Sequence, residues 1–307
     1  MRRSLRAGDV VQVRSAAEVL ATLDADGRLE GLPFMPEMAR LVGRTFQVRR
    51  RADVTCVEGH GLRKLHDTVF LEDLRCDGAS HDGCQRQCLI FWKEAWLRPA
   101  DEAAQTAHPL AERQALRRLE ALPTRAGDHF ACQSTALAAA TRPLPRWDVG
   151  HLNADLARGQ LTLAQFLAMA WRTLANSLRR PLGLNELDAL AGENGRAPKG
   201  SLGLAPGDWV RVRSAEEIRR TLGPDSKNRG LSFEPEMTRH VGQLHQVDFP
   251  VRRIVLEESG RMVALTSTVA LKGVTCQGAC ARNCPRANTL YWREAWLERV
   301  AQQQAAE

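Results

Sequence analysis

The chain carries one stretch of itself twice. Residues 7–98 open with AGDVVQVRSAAEVLATL and residues 206–299 with PGDWVRVRSAEEIRRTL. The match resumes at GLPFMPEMARLVGRTFQV against GLSFEPEMTRHVGQLHQV and closes on FWKEAWLR against YWREAWLER. Agreement in order and spacing over that length is an internal duplication, so a fold open to one copy must be open to the other. The expected organisation is a first module over 1–100, a middle segment over 101–182, a linker over 183–205 and a second module over 206–300.

Both copies read alike. DVVQVRS and DWVRVRS alternate apolar and polar residues as a half-buried strand does. Ser15 with Glu18, and Ser214 with Glu217, have the spacing of a capping box, which starts a short helix directly after each strand. Pro36 and Pro235 suit the first turn of a second short helix closed by Gly43 and Gly242. Further strands follow, with EESGRM as a hairpin turn in the second copy. Several short strands and little helix predict an α+β protein in which two small SH3-like β-barrel modules flank a helical middle segment.

That middle segment is different in kind. DEAAQTAHPLAERQALRRLEAL and LTLAQFLAMAWRTLANSLRR are helical by composition. In the second, Leu163, Leu167, Ala170, Trp171, Leu174 and Leu178 share one face. The reading favoured is a helix packed on a barrel or on its neighbour, with a membrane-surface helix as the alternative. Residues 183–208 are rich in Gly, Asn and Pro and read as the passage into the second module.

Cysteine placement carries the chemistry. No apolar run is long enough to span a bilayer, and the basic start MRRSLRAGD lacks the apolar core of a secretory signal, so a cytoplasmic location is expected. There disulfides are disfavoured, and 8 clustered cysteines point to metal. Cys76, Cys84 and Cys88 lie in one Gly-rich loop and Cys276, Cys280 and Cys284 in its counterpart. Aligned cysteine to cysteine, Cys280 falls under Cys84 and Cys284 under Cys88, with extra residues after the last cysteine of copy two. Three thiolates leave a tetrahedral ion or a cubane cluster one ligand short. Cys56 and Cys132 remain, so the count assigns Cys56, Cys76, Cys84 and Cys88 to one centre and Cys132, Cys276, Cys280 and Cys284 to the other. His81 stands as an alternative to Cys56. The C-x2-C pairs of zinc ribbons are absent, and the proline after Cys284 is closer to iron–sulfur practice, so two 4Fe–4S clusters are expected, with two zinc ions as the alternative.

Trp92 with Trp96, and Trp292 with Trp296, read as packing residues. The functional alternative is that Glu94 and Glu294 act as acids or bases beside the metal. Arg142, Trp147, Asp148 and His151 form a non-repeated polar and aromatic patch where a substrate pocket would be sought. The formal charge of +7 suits a polyanionic partner.

Taken together, GDWVRVRSAEEI, the PEM segment, RCDGASHDGCQRQCLIFWKEAWL, CQSTALAAATRPLPRWD and YWREAWLER resemble a family of duplicated, cysteine-rich bacterial proteins. The resemblance covers nearly the whole chain, implies that Cys132 belongs to the cysteine device, and implies no activity. An analogy to SH3-like barrels of electron-transport accessory and nitrile hydratase type rests on the GD strand pattern. The function expected is a two-site iron–sulfur protein with a redox or accessory role in a bacterial biosynthetic pathway, acting with a redox or biosynthetic protein partner. Alternatives are a zinc-stapled module that binds nucleic acid or an acidic protein, and an enzyme whose cluster binds substrate.

Overall fold

The computed structural model describes residues 4–102, 108–145, 148–184, 186–187, 189–193, 201–278 and 282–301. In the first copy, β1 (Val10–Val13) passes through Ser15 into α1 (Ala16–Leu20). The Ser15 hydroxyl accepts from Glu18 N–H and the Glu18 carboxylate accepts from Ser15 N–H, which is the expected capping box. Pro36–Leu41 is a 3-10 helix, held by Met38 N–H to the Met35 carbonyl and Val42 N–H to the Ala39 carbonyl. Then come β2 (Thr45–Arg51), the hairpin β3 (Val54–Val57) and β4 (Gly61–Lys64), β5 (Thr68–Arg75), β6 (Leu89–Lys93) and β7 (Leu97–Pro99). Five of these strands make one antiparallel sheet in the order β6–β5–β2–β1–β7.

Between the copies lie α2 (Pro109–Glu120), α3 (Gln133–Ala140), the short β8 (Arg142–Pro143) paired to β4, α4 (Gly150–Ala157) and α5 (Leu163–Arg179). The second copy repeats the first. It comprises β9 (Trp209–Val212), α6 (Ala215–Arg219), a 3-10 helix Pro235–His240, β10 (Leu244–Pro250), the hairpin β11 (Arg253–Val255) and β12 (Met262–Ala264), β13 (Thr268–Thr275), β14 (Thr289–Arg293) and β15 (Leu297–Val300). Its sheet runs β14–β13–β10–β9–β15, the same order, and Ser214 with Glu217 again closes a capping box.

The tryptophans do the same packing work in each copy. Trp92 and Trp96 are fully buried and meet Phe34 edge-on at 6.4 and 5.3 Å between ring centroids. Trp292 and Trp296 meet Phe233 at 6.1 and 5.2 Å. The indole N–H of Trp96 donates to Thr22 Oγ1, and that of Trp296 to Thr221 Oγ1. These two bonds fix the ends of α1 and α6 against the last turn before β7 and β15, whereas the indole N–H groups of Trp92 and Trp292 are buried without a partner.

Compact units do not follow the repeat boundaries. One unit comprises residues 1–161 with two pieces of the second copy, 253–263 and 281–288; the other comprises 162–252, 264–280 and 289–307. In the first unit α2 buries Ala115 and Leu119 in the core, and Glu112 accepts from the N–H groups of Ala16 and Ala17 at 2.5 and 3.1 Å. In the second unit Leu190 and Leu204, from the expected linker, are buried in the core beside Val210 and Leu222. Helix α5 differs from expectation: Leu163, Leu167, Trp171, Leu174 and Leu178 are each more than half exposed, so its apolar face is not packed on a barrel. Among the described residues no helix is long and apolar enough to cross a membrane.

Candidate metal centre

Strand register builds the first half of the site. Arg75 on β5 pairs with Leu89 on β6, so the next residues outward, Cys76 and Cys88, face each other across the mouth of that hairpin, and Cys76 N–H donates to the Cys88 carbonyl at 2.8 Å. The intervening loop is tightly wound: His81 N–H and Gly83 N–H both reach the Gly78 carbonyl, and Cys84 N–H reaches the His81 carbonyl. Gly78 has φ +72°, and a Cβ there would lie 2.0 Å from the Cys84 carbonyl oxygen, so only glycine lets the loop fold back on Cys84.

Cys132 arrives from the middle of the chain. It is the residue before α3, where backbone N–H groups of Ser134 and Thr135 point at its sulfur. Burial opposes ionisation more strongly than these donors favour it, and the Cys132 thiol is pushed up to about 11. Gln133 positions the helix: its fully enclosed amide donates to the Phe91 carbonyl and accepts from Phe91 N–H, both at 2.8 Å, and donates to the Pro33 carbonyl at 3.2 Å. Cys76, Cys84, Cys88 and Cys132, with His81, thus line a single buried cavity of about 30 Å³. Burial also raises the Cys76 and Cys84 thiols, helped at Cys76 by the charge of Glu37.

Under Cys76 lies a second feature. The Cys76 thiol donates to Glu37 Oε1 at 3.2 Å, and His81 Nδ1 stands 3.6 Å from the same oxygen. His81 Nε2 faces the Ala131 carbonyl at 3.3 Å, which can only accept, so Nε2 is the donor there and Nδ1 is the ring nitrogen turned toward Glu37. Glu37 Oε2 and His81 Nδ1 are buried without a hydrogen-bond partner. Among the described residues Glu37, Cys76 and His81 form the only group of three whose ligand atoms all lie within 4.8 Å of one another. Four sulfurs on one zinc, at about 2.3 Å each, would stand ~3.8 Å apart. The cavity's cysteines are therefore spread more widely than a single ion requires.

The other sulfurs are arranged differently from the count-based division. Cys56, on β3, lies against Cys284, with 3.3 Å between sulfurs and Cys56 N–H donating to Cys284 Sγ at 3.1 Å. Burial works against ionisation of Cys284, yet the Cys56 thiol and the N–H groups of Arg286 and Cys56 outweigh it and bring Cys284 down to about 7. The same contact pushes Cys56 up, so the pair shares one proton between two sulfurs. Among the described residues Cys132 lines the cavity of the first loop, and Cys56 meets Cys284 and is not part of that cavity's lining. Cys276 is half-buried against the core of the second unit, and Cys280 lies outside the described residues.

Loop alignment also changes. Thr275 pairs with Thr289 as Arg75 pairs with Leu89, so the loops 76–88 and 276–288 have equal length and need no gap. Cys284 is then the counterpart of Cys84, Asn288 stands at the place of Cys88, and Cys280 at that of Ser80. Hydrogen bonding agrees: Val255 N–H on β11 donates to Cys84 Sγ at 3.3 Å, as Cys56 N–H on β3 donates to Cys284. Each loop takes this donor from the hairpin of the other copy. The hairpin is held by Glu257, whose carboxylate accepts from Arg286, Arg86, Ser134 Oγ and Glu58 N–H.

The remaining expected residues play other parts. Glu94 pairs with Arg51, and Glu294 accepts from Ser201 Oγ and the N–H groups of Leu202 and Gly203; neither lines the cysteine cavity. Asp148 and His151 line a separate cavity, Arg142 another beside it, and Trp147 lies outside the described residues. Comparison with protein-family models, curated proteins and solved structures returned no match.

Proposed function

We propose that the first unit holds a 4Fe–4S cluster on Cys76, Cys84, Cys88 and Cys132, and that the protein is a redox or accessory metalloprotein of a bacterial biosynthetic pathway, working in the cytoplasm with a protein partner. The observation that carries this reading is the convergence of four cysteines from two places in the chain, the 76–88 loop and the start of α3, on one buried cavity. At about 30 Å³ the cavity is far below the size of an organic-ligand pocket. Sulfurs spread too widely for one zinc favour a cube over a single ion. Thiols raised by burial need a cation before they ionise, and bound metal supplies it. Four cysteines close the cluster's coordination, which favours electron transfer over substrate binding at iron. Of the second centre expected from the count, the first unit contains Cys132 and Cys284, and Cys284 lies against Cys56.

The scaffold reading accompanies it. A five-stranded antiparallel sheet whose first strand lies between the last and the second, with a 3-10 turn before the last strand, supports an SH3-like barrel in each copy.

A second reading has its own support. Unpartnered Glu37 Oε2 and His81 Nδ1, with Cys76, offer the mixed donor set of a zinc ion, and His81 already gives its other N–H to a carbonyl as metal-binding histidines do. A zinc-stapled module binding nucleic acid or an acidic protein through its positive charge would follow. Anaerobic purification with iron, sulfide and zinc counts separates the two. Under the cluster reading Cys132→Ser removes the first unit's iron and Cys56→Ser leaves it. A colourless protein that keeps zinc in Cys132→Ser and loses it in His81→Ala overturns that reading in favour of zinc.

A further inference from the structure

A cavity of 350 Å³ in the first unit, away from the cysteines, is lined by Glu30, Lys64, His66, Lys93, Thr141 and Arg142. That volume falls within the range of small organic ligands. A neighbouring cavity of 230 Å³ shares Lys64 and His66 with it and is of mixed charge, extending to Arg51 and His151 and to Asp53, Asp67 and Asp148.

The charges here are not arranged for the empty protein's stability. Lys64 on β4 and Arg142 on β8 are direct register partners, so two cations stand opposite each other on an antiparallel pair, where like charges are unfavourable. Among the described residues, neither side chain has a hydrogen-bond or ion-pair partner, and both are exposed to the cavity. Lys93, 2% exposed, forms part of the wall, with Nζ bonded to Glu30 Oε2 and to the His66 carbonyl at 2.9 Å. Lys64, Arg142 and Lys93 therefore line this cavity with one carboxylate, Glu30, which Lys93 already bonds. The C-terminal end of α3, whose bare carbonyls would repel an anion, is covered: Arg63 donates to the carbonyls of Ala138 and Thr141 at 3.2 and 2.8 Å and to Thr141 Oγ1.

We propose that this cavity binds a small molecule bearing a phosphate or carboxylate group, seated between Lys64 and Arg142 and facing Lys93. Charge-assisted bonds from Arg and Lys recognise either oxyanion, and the bound anion relieves the repulsion across the β4–β8 pair. The proposal does not rest on the metal centre. The two are nonetheless linked in the fold, because α3 carries Cys132 before its first turn and Arg142 just past its last, ~12 Å along its axis.

The test titrates the full-length protein with inorganic phosphate and, separately, with succinate at constant ionic strength, following calorimetric heat and the thermal midpoint. Saturable binding of at least one is expected, with Lys64→Ala and Arg142→Ala each weakening it tenfold or more and Arg40→Ala, at an exposed ion pair elsewhere, leaving it unchanged. The tighter probe tells phosphate from carboxylate. Lys64→Glu places an opposite charge across from Arg142, so it should raise the midpoint without ligand and abolish the rise that ligand causes. No saturable binding of either anion, unchanged affinity in Lys64→Ala, or an equal response to chloride overturns the proposal.

Discussion

Replacing Glu257 with Gln tests how the cysteine cavity is held. The Glu257 side chain is 2% exposed and that of Arg286 4%, and the two share a pair of hydrogen bonds at 2.8 and 3.1 Å. The same carboxylate accepts from Arg86 at 3.2 Å, Ser134 Oγ at 2.8 Å and Glu58 N–H at 3.0 Å. A Gln amide turns one acceptor into a donor facing these donors and leaves the Arg286 charge buried without its counter-ion. Removing one member of such a pair costs about 3–5 kcal/mol. In a unit of this size each kcal/mol moves the midpoint by about 2–4 °C, so Glu257→Gln should melt about 6–20 °C lower. Burial opposes ionisation of Glu257, yet Arg286 outweighs it and holds the carboxyl below its usual range. Its contribution is thus complete above the unfolded value of about 4.3 and fades as pH falls through the lower folded value. Wild type and variant should therefore converge in strong acid and differ most near neutrality. Calorimetric melting across pH measures this, with Glu257→Leu/Arg286→Met as the comparison, expected near wild type because the charge is removed as a pair. A loss under 1 kcal/mol for Glu257→Gln at pH 7 would refute the argument that this carboxylate anchors the hairpin donating to Cys84.

Gly78→Ala should drive the loop off Cys84 and remove bound metal, whereas Gly83→Ala, with the same φ of +72° but open space around it, should cost only about 1–2 kcal/mol of strain and keep the metal; metal content and melting of both variants decide. Burial and the neighbouring His245 pull His240 down to about 4. The unfolded chain then binds more protons between about pH 4 and 6.5, so stability should rise with pH through that window, and His240→Gln should flatten the rise in denaturant titrations. Trp96→Ala and Trp296→Ala each empty an equivalent pocket and should each cost about 3–5 kcal/mol, read from urea unfolding; a tenfold smaller effect in one copy would break the equivalence of the two cores.

Much of the architecture was legible because it depends on short-range pattern. The capping boxes at Ser15 and Ser214, the packing tryptophans and the repeated sheet follow from alternation, from S-x-x-E spacing and from apolar volume, all of which act over a few residues or recur in both copies. The turn after Val255 was visible in EESGRM for the same reason. The fate of α5 was not legible, because periodicity shows that a helix has an apolar face and is silent on what covers it.

The sequence by itself determined that two equivalent β modules exist, that each carries a cysteine loop, and that Cys132 lies outside both. Tertiary structure alone decided which sulfurs meet. Counting gave the first loop Cys56 from its own copy and the second loop Cys132 from the middle segment, but the hairpins of β3–β4 and β11–β12 reach the opposite loop, while Gln133 pins α3 to Phe91 and brings Cys132 to Cys76, Cys84 and Cys88. Those are contacts between residues more than forty positions apart, fixed by buried amides and an enclosed ion pair. Equal loop length likewise emerged from strand register, since identical cysteine letters invite an alignment that the hydrogen-bond ladder does not allow.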